Sequence, residues 1–341
     1  MRSFASDNNS GVHPDIMQAI FNANTNHAIG YGDDCWTAKA VEVIKQQFGE
    51  SASPFFVFNG TGANCVALQA ATRSFNSVIT ATGGHIEVDE CGAPTKMTGC
   101  HIISIPTTDG KLTPELIAPK LTGFGECHHS QPKVVYISQS TEVGTVYTPQ
   151  EIKAIADLIH GYGMYLHMDG ARLANACATL GCSMKACTVD AGVDILSLGG
   201  TKNGMMMGEV VIAFKPELAV DLAFIRKQSA QLASKMRYLT AQFEAYFNNS
   251  LWLANATRAN KQALRLKEAL SGFDGFQLEY PVQANALFIS MPQQIIEKLR
   301  EHFFFYTWDE ARNVVRFVCS WDTTDEDIEA FIAIVKQNVT L

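Results

Sequence analysis

Two short apolar runs end in residues that could do chemistry together. In Ile195-Leu-Ser-Leu-Gly-Gly-Thr-Lys-Asn-Gly-Met-Met-Met-Gly208, the run Asp194 to Leu198 reads as a buried strand that breaks on Gly199-Gly200, with Lys202 just past the break. A lysine at the end of a buried strand is poorly solvated, and desolvation lowers its pKa toward the neutral amine that a Schiff-base lysine needs. Upstream, Tyr165-Leu-His-Met-Asp-Gly-Ala-Arg-Leu-Ala-Asn175 carries a second apolar run, Met164 to Met168, which delivers Asp169 at its end and opens a helical pattern at Arg172.

In an open α/β sheet, strand ends of this kind lie side by side over a crevice where ligands bind. A buried carboxylate beside such a lysine suits pyridoxal 5'-phosphate: the carboxylate keeps the pyridine nitrogen protonated and the lysine holds the aldehyde carbon. The phosphate would need a third element. Pro54-Phe-Phe-Val-Phe-Asn-Gly-Thr-Gly-Ala-Asn64 supplies one, a bulky strand ending at Asn59, then Gly60-Thr61-Gly62, then a helix from Ala63 to Thr72. Strand, glycine turn and helix N-terminus form an anion site, and no Gly-Lys-Ser/Thr follows to make it a P-loop. His85 follows the strand Ser77 to Thr82 and the turn Gly83-Gly84, where an imidazole could stack on a flat ring. Glu87, Asp89 and Glu90 behind it read as a solvated acidic turn.

The elements that must position these residues alternate. Strands are expected at His101 to Pro106 and Val134 to Ser138, the latter followed by the loop Gln139-Ser-Thr-Glu-Val-Gly-Thr-Val-Tyr147. Thr148-Pro149-Gln150-Glu151 is a capping box that starts a helix to about Tyr162. Alternation through the 150s to 210s implies parallel βαβ units. Earlier, a polar loop Ser6 to Gly11, a helical pattern after His13-Pro14 and a turn at Tyr31-Gly-Asp-Asp34 precede a helix that Thr37 would cap and that runs through Phe48. A polar arm of this kind often reaches across a subunit boundary. From Pro216 to about Ala269 the pattern is helical, with Arg226, Lys227, Lys235 and Arg237 on its polar positions. Strands at Gln277 to Tyr280, Ala286 to Ser290 and Val314 to Ser320, with helices from Pro292 and Thr324, complete the chain. Arg316, inside the last strand, is either paired structurally or aimed at a carboxylate.

The 341 residues suffice for a large domain, expected over residues 1–250 with the N-terminal arm, plus a small α+β domain over 251–341. A net charge of −8 gives no reason to expect nucleic acid or an anionic membrane as partner. No apolar run approaches spanning length and the first residues lack a signal-peptide core, so a cytoplasmic protein without a membrane partner is expected. The nine cysteines have no disulfide-framework spacing. Cys177, Cys182 and Cys187 recur every five residues, which fits no common zinc motif, and Cys127-His128-His129 cannot easily converge on one ion. No metal is expected.

Taken in order, the Ser-Asp arm, Tyr-Gly-Asp-Asp, Gly-Thr-Gly-Ala-Asn, loop histidine, His-Met-Asp-Gly-Ala-Arg, Gly-Gly-Thr-Lys-Asn-Gly-Met and the late strand arginine resemble the threonine aldolases over nearly the whole chain. These are fold-type-I pyridoxal phosphate enzymes, and the low-specificity threonine and phenylserine aldolases are the most similar branch. The resemblance implies an α/β, transferase-like fold with a mostly parallel sheet. It also implies retro-aldol cleavage of a β-hydroxy-α-amino acid to glycine and an aldehyde, the alternative being β-elimination, transamination or racemisation on the same scaffold. Lys202 would bond the cofactor, Asp169 pair with its ring nitrogen, Gly60 and Thr61 hold its phosphate, and His85 stack on its ring. Arg172 would contact the cofactor's phenolic oxygen or the substrate carboxylate, which Ser6 and Arg316 would also bind. Tyr31 would line the site, and Arg237 would reach the phosphate of a neighbouring subunit in a homo-oligomer, a dimer or tetramer with shared active sites. Many threonine aldolases carry Thr-His-Asn in the loop after the fifth strand, where this chain has Ser140-Thr-Glu-Val143. Glu142 thus stands where that histidine would be, and the base for the β-hydroxyl proton is open between His85, Glu142 and a bound water.

Overall fold

The strand Gln131–Ser138 sends Val134 and Tyr136 into one apolar cluster and Val135 and Ile137 into another. Such period-two alternation with both faces apolar belongs to a sheet lying between helical layers. The computed structural model, which describes residues 2–339, continues this pattern through a seven-stranded sheet. In chain order the strands are β1 (Arg2–Ser3), β2 (Ser53–Val57), β3 (Asn76–Ala81), β4 (His101–Ile105), β5 (Gln131–Ser138), β6 (Tyr165–Gly170), β7 (Ile195–Gly199) and β8 (Glu209–Ala213). The central sheet has the order β2-β8-β7-β6-β5-β3-β4. Neighbours from β7 to β4 pair in parallel, whereas β8 runs antiparallel to both β7 and β2.

The register fixes the functional edge. Asp169 of β6 lies opposite Ser138 of β5 and Ser197 of β7, and Gly199 of β7 lies opposite Glu209 of β8. The C-terminal ends of β3, β5, β6 and β7, and the loops that leave them, therefore open on one side of the sheet.

A second sheet has the order β12-β13-β10-β9, from β9 (Gln277–Leu278), β10 (Ala286–Ser290), β12 (Tyr306–Asp309) and β13 (Val314–Val318), all antiparallel. β11 (Phe303–Phe304) pairs instead with β1, so the polar arm begins by docking on the C-terminal part of its own chain. Phe4 follows it into the apolar cluster of that sheet. The helix Leu251–Leu270 belongs to both parts: Trp252 and Ala256 pack in the main core, Ala263, Leu266 and Leu270 in the second.

Several expected elements differ in detail, each for a local reason. The 150s to 210s are not all parallel, because Gly208, at φ 121°, turns the chain straight back into β8 without a crossover helix. The second helix starts at Cys35, not after Thr37: Asp34 is its cap, accepting the Thr37 N–H at 2.8 Å and the Thr37 hydroxyl at 2.9 Å. The long helical stretch breaks into Pro216–Ala219, Leu222–Gln228, Arg237–Phe247 and Leu251–Leu270. The capping box at Thr148 forms as read, with both reciprocal bonds to Glu151.

Candidate active site

At the C-terminal edge of the central sheet a cleft of about 400 Å³ is lined by Asn8, Gly60, Thr61, His85, Ala171, Thr201, Lys202 and Glu209, among others. Lys202 stands in a short turn, Thr201–Asn203, which the Asn203 amide fastens from below by donating to Tyr246 Oη and the Trp252 carbonyl, both at 2.9 Å. Burial, and then the neighbouring Arg172, push the amine below the ordinary lysine range; Asp7, Asp169 and Glu209 pull the other way.

Asp169 is buried and fully engaged. Oδ2 accepts from Asn64 Nδ2 at 2.8 Å and from Tyr136 Oη at 2.7 Å, and Oδ1 accepts the Ala171 N–H at 2.9 Å. Burial alone would raise its pKa, but His85, Asn64, Lys202 and Tyr136 together hold the carboxyl below its usual range. It stays a carboxylate at neutral pH. From Asn64 the network continues to Glu90 Oε1 at 2.8 Å, and Glu90 Oε1 meets His85 Nδ1 at 2.9 Å. That hydrogen bond raises the pKa of His85. The expected solvated turn is corrected here: Glu90 is 4% exposed, because His85 and Asn64 draw it inward.

The anion site is a helix start. Asn59 caps the helix Gly60–Ala71 by accepting the Gly62 N–H at 2.8 Å, and the helical ladder opens with Ala63 N–H to the Asn59 carbonyl at 2.9 Å. The Gly60 and Thr61 N–H groups are left at the dipole's positive end, facing the cleft. The helix begins at Gly60, three residues earlier than the expected Ala63.

Glu142 faces the loop that carries His85. Its Oε1 accepts Ser138 Oγ at 2.6 Å and the His85 N–H at 2.8 Å, and burial raises its pKa. It fastens the His85 loop to β5 and is not among the residues lining the cleft.

The basic side chains meet the N-terminal arm. Arg172 donates from Nε and Nη2 to the two oxygens of Asp7, each at 2.8 Å, and Asn285 Nδ2 donates to Asp7 Oδ2 at 3.0 Å. Arg316 donates to the Ala5 carbonyl at 3.1 Å and lies over the rings of Tyr306 and Trp308. Ser6 Oγ accepts the Asn8 N–H at 3.2 Å. Ser6, Arg172 and Arg316 thus converge around the arm.

Tyr31 and Arg237 are not brought to this cleft. Tyr31 is 55% exposed, in a turn held by its N–H to the Ser234 carbonyl at 3.0 Å. Arg237 donates to the Thr25 and Asn26 carbonyls and lines a separate cavity with Ile29 and Gly30. Within a single chain, Tyr31 is not among the residues lining the cleft.

Sequence reading missed Asp7, Asn64, Tyr136, Glu90 and Glu209. Burial pushes Glu209 up to about 8, against the pull of Thr201 and Lys202. Asn64, four residues past Gly60 on the inward face of the helix, was the most readable of them.

A mostly parallel sheet whose edge sets a desolvated lysine beside a buried aspartate and a helix N-terminus defines the pyridoxal phosphate enzymes of fold type I, and these residues fit that cofactor in charge and donor set. The chain belongs to the beta-eliminating lyase family, which it matches over residues 3–293. It is 44% identical to the low-specificity L-threonine aldolase of Pseudomonas aeruginosa, across 96% of this chain and 95% of that one. It is 42% identical to the enzyme of the same name from a Pseudomonas strain, across 98% and 97%. A solved threonine aldolase from Leishmania major superposes with a TM-score of 0.94 at 32% identity, covering 99% of this chain and 100% of the other. The cofactor is pyridoxal phosphate and the enzyme a lyase.

Proposed function

We propose that the chain cleaves the Cα–Cβ bond of L-threonine, L-allo-threonine or related β-hydroxy-α-amino acids such as phenylserine, releasing glycine and an aldehyde. The observation that carries this reading is the cleft, lined by Lys202 and His85, with the Asp169 carboxylate buried within 4.8 Å of the His85 ring nitrogen. Bound pyridoxal phosphate supplies a conjugated ring that accepts the electron pair released when the Cα–Cβ bond breaks.

The residues around it have separable tasks. Lys202, whose amine burial and Arg172 hold below the ordinary lysine range, is the nucleophile that fixes the cofactor. Asp169 holds a negative charge where the ring nitrogen must keep its proton. Gly60 and Thr61 offer N–H groups to the phosphate. Arg172, Arg316 and Ser6 orient the substrate carboxylate beside the arm. His85 is favoured as the base at the β-hydroxyl: Glu90 engages Nδ1, so Nε2 is the atom left to take the proton, and the ring lines the cleft. Glu142 is occupied by Ser138 and the His85 N–H and serves to position that loop.

Tyr31 and Arg237 fit a homo-oligomer, dimer or tetramer, in which they complete the neighbour's site. Phe21 at 72% and Ile29 at 70% exposure lie in the same segment and give it an apolar surface to bury. The division into a cofactor unit (1–250) and a small α+β unit (251–341) rests on the two apolar clusters joined by the helix Leu251–Leu270. No described helix is long and apolar enough to cross a membrane; the localisation proposed is the cytoplasm, and the substrate a free amino acid.

The family's description keeps one sister reaction in view, β-elimination. Product analysis separates them. Protein supplied with pyridoxal phosphate and L-threonine should yield glycine and acetaldehyde in equal amounts; an α-keto acid and ammonia instead would move the assignment to elimination.

A further inference from the structure

Cys177, Cys182 and Cys187 lie too regularly along the chain to match a common zinc motif, yet folding gathers their sulfurs. Cys177 sits in the helix Leu173–Leu180. Gly181, at φ 62°, ends that helix in the left-handed region, and the Cys182 N–H turns back to the Cys177 carbonyl at 3.3 Å. The segment beyond coils again, with the Cys187 N–H on the Ser183 carbonyl at 3.3 Å and Thr188 Oγ1 on the Met184 carbonyl at 2.7 Å. These two reversals bring Cys187 back over the first turn. All three sulfurs lie within 4.8 Å of one another, and the Cys182 and Cys187 sulfurs are 2.9 Å apart.

Buried free cysteines ordinarily act as small hydrophobes surrounded by carbon. Here each sulfur faces the other two. Cys177 and Cys187 are wholly buried, while Cys182 is partly exposed and gives the triangle one opening to solvent. None of these residues lines the cofactor cleft.

We propose that Cys177, Cys182 and Cys187 form a trithiolate site for one thiophilic d10 metal ion, of the Zn(II) or Cu(I) class. Thiolates select such soft ions. With metal–sulfur bonds of about 2.3 Å, sulfurs around one ion lie about 3.8–4.0 Å apart. The Cys182–Cys187 edge, 2.9 Å long, reaches that length if Cys182 swings outward by about 1 Å, which the most exposed of the three can do. Its open side leaves a position for water. Binding forms three metal–sulfur bonds and releases the protons of whichever sulfurs are still thiols, so uptake weakens as pH falls.

The test uses the reduced full-length protein loaded with pyridoxal phosphate, held without oxygen, and titrated separately with Zn(II) and Cu(I) against a coloured chelator. The expected result is one ion retained per chain for at least one of the two metals, with proton release and a raised unfolding temperature. Cys182→Ser should weaken retention by more than the roughly 10- to 100-fold that outer-sphere changes cost, and Cys187→Ser should do the same. Cys35→Ser, at an exposed thiol, should leave retention unchanged. Because Cys187 is buried and its variant can misfold, Cys182→Ser with its unchanged aldehyde release from L-threonine is the deciding control. A reduced wild type that retains neither ion would overturn the site, as would equal retention in Cys182→Ser. Loss of two hydrogens with a covalent Cys182–Cys187 link on peroxide treatment, without any metal uptake, would replace it by a redox pair.

Discussion

At the edge of the central sheet, buried Asp169, Asn64 and Glu90 are joined in one hydrogen-bonded chain to the half-buried His85. The second sheet is closed by rings instead: Phe4, Phe303, Phe317 and Phe331 meet at centroid distances of 5.0 to 5.5 Å. Buried charges cost desolvation that packed rings do not, and breaking one partner leaves the other exposed to that cost. The first region therefore holds a charge and a proton at fixed atoms, and the second holds the fold. Arg316, from β13, and Asn285, just before β10, are where the two meet, since both reach the arm that carries Asp7.

The sharpest test of this division is Asp169→Ala. It should lower kcat by about 10³-fold, the scale of losing a preorganised electrostatic partner, while the protein still folds. Unchanged kinetics would break the contrast from the catalytic side. Phe331→Ala tests the other region: truncating this buried ring should cost about 3–5 kcal/mol in urea unfolding, with kcat/KM per folded molecule preserved. A loss confined to activity would show that the rings do more than hold the fold.

Glu90→Gln sharpens the comparison through pH. With Glu90 present, the pKa of His85 is raised, so the base is protonated, and activity is lost, as pH falls through a value above the ordinary 6.5. Removing the Glu90 charge should move that acid limb to lower pH. A limb that stays in place would assign the base elsewhere. The smallest effect expected is from Thr148→Ala, which removes one half of a surface capping box and should cost about 1 kcal/mol of stability with no change in turnover.

What could be read in advance followed the chain. Lys202, Asp169 and the Gly60-Thr61 turn each sit directly after an apolar strand, and strand ends in an α/β sheet have a fixed destination. Partners brought from elsewhere left no local mark. Glu90 looked solvated among Glu87 and Asp89, because its burial depends on Asn64, 26 residues away. Tyr136 read as one more apolar strand residue, although its hydroxyl meets Asp169 across 33 positions. The antiparallel β8 was hidden because a short apolar run after Gly208 carries no sign of direction. Thr37 and Asp34 both have capping chemistry, and only the backbone path decides that Asp34 accepts from Thr37.

The central claim is that Lys202 carries this chemistry on bound pyridoxal phosphate. It is tested most directly by adding the cofactor to wild type and to Lys202→Ala, recording the absorbance of the bound cofactor and the acetaldehyde released from L-threonine. Wild type should show both the shifted absorbance and steady release, and the variant should show neither while remaining folded. Full aldehyde release by the variant would contradict the account.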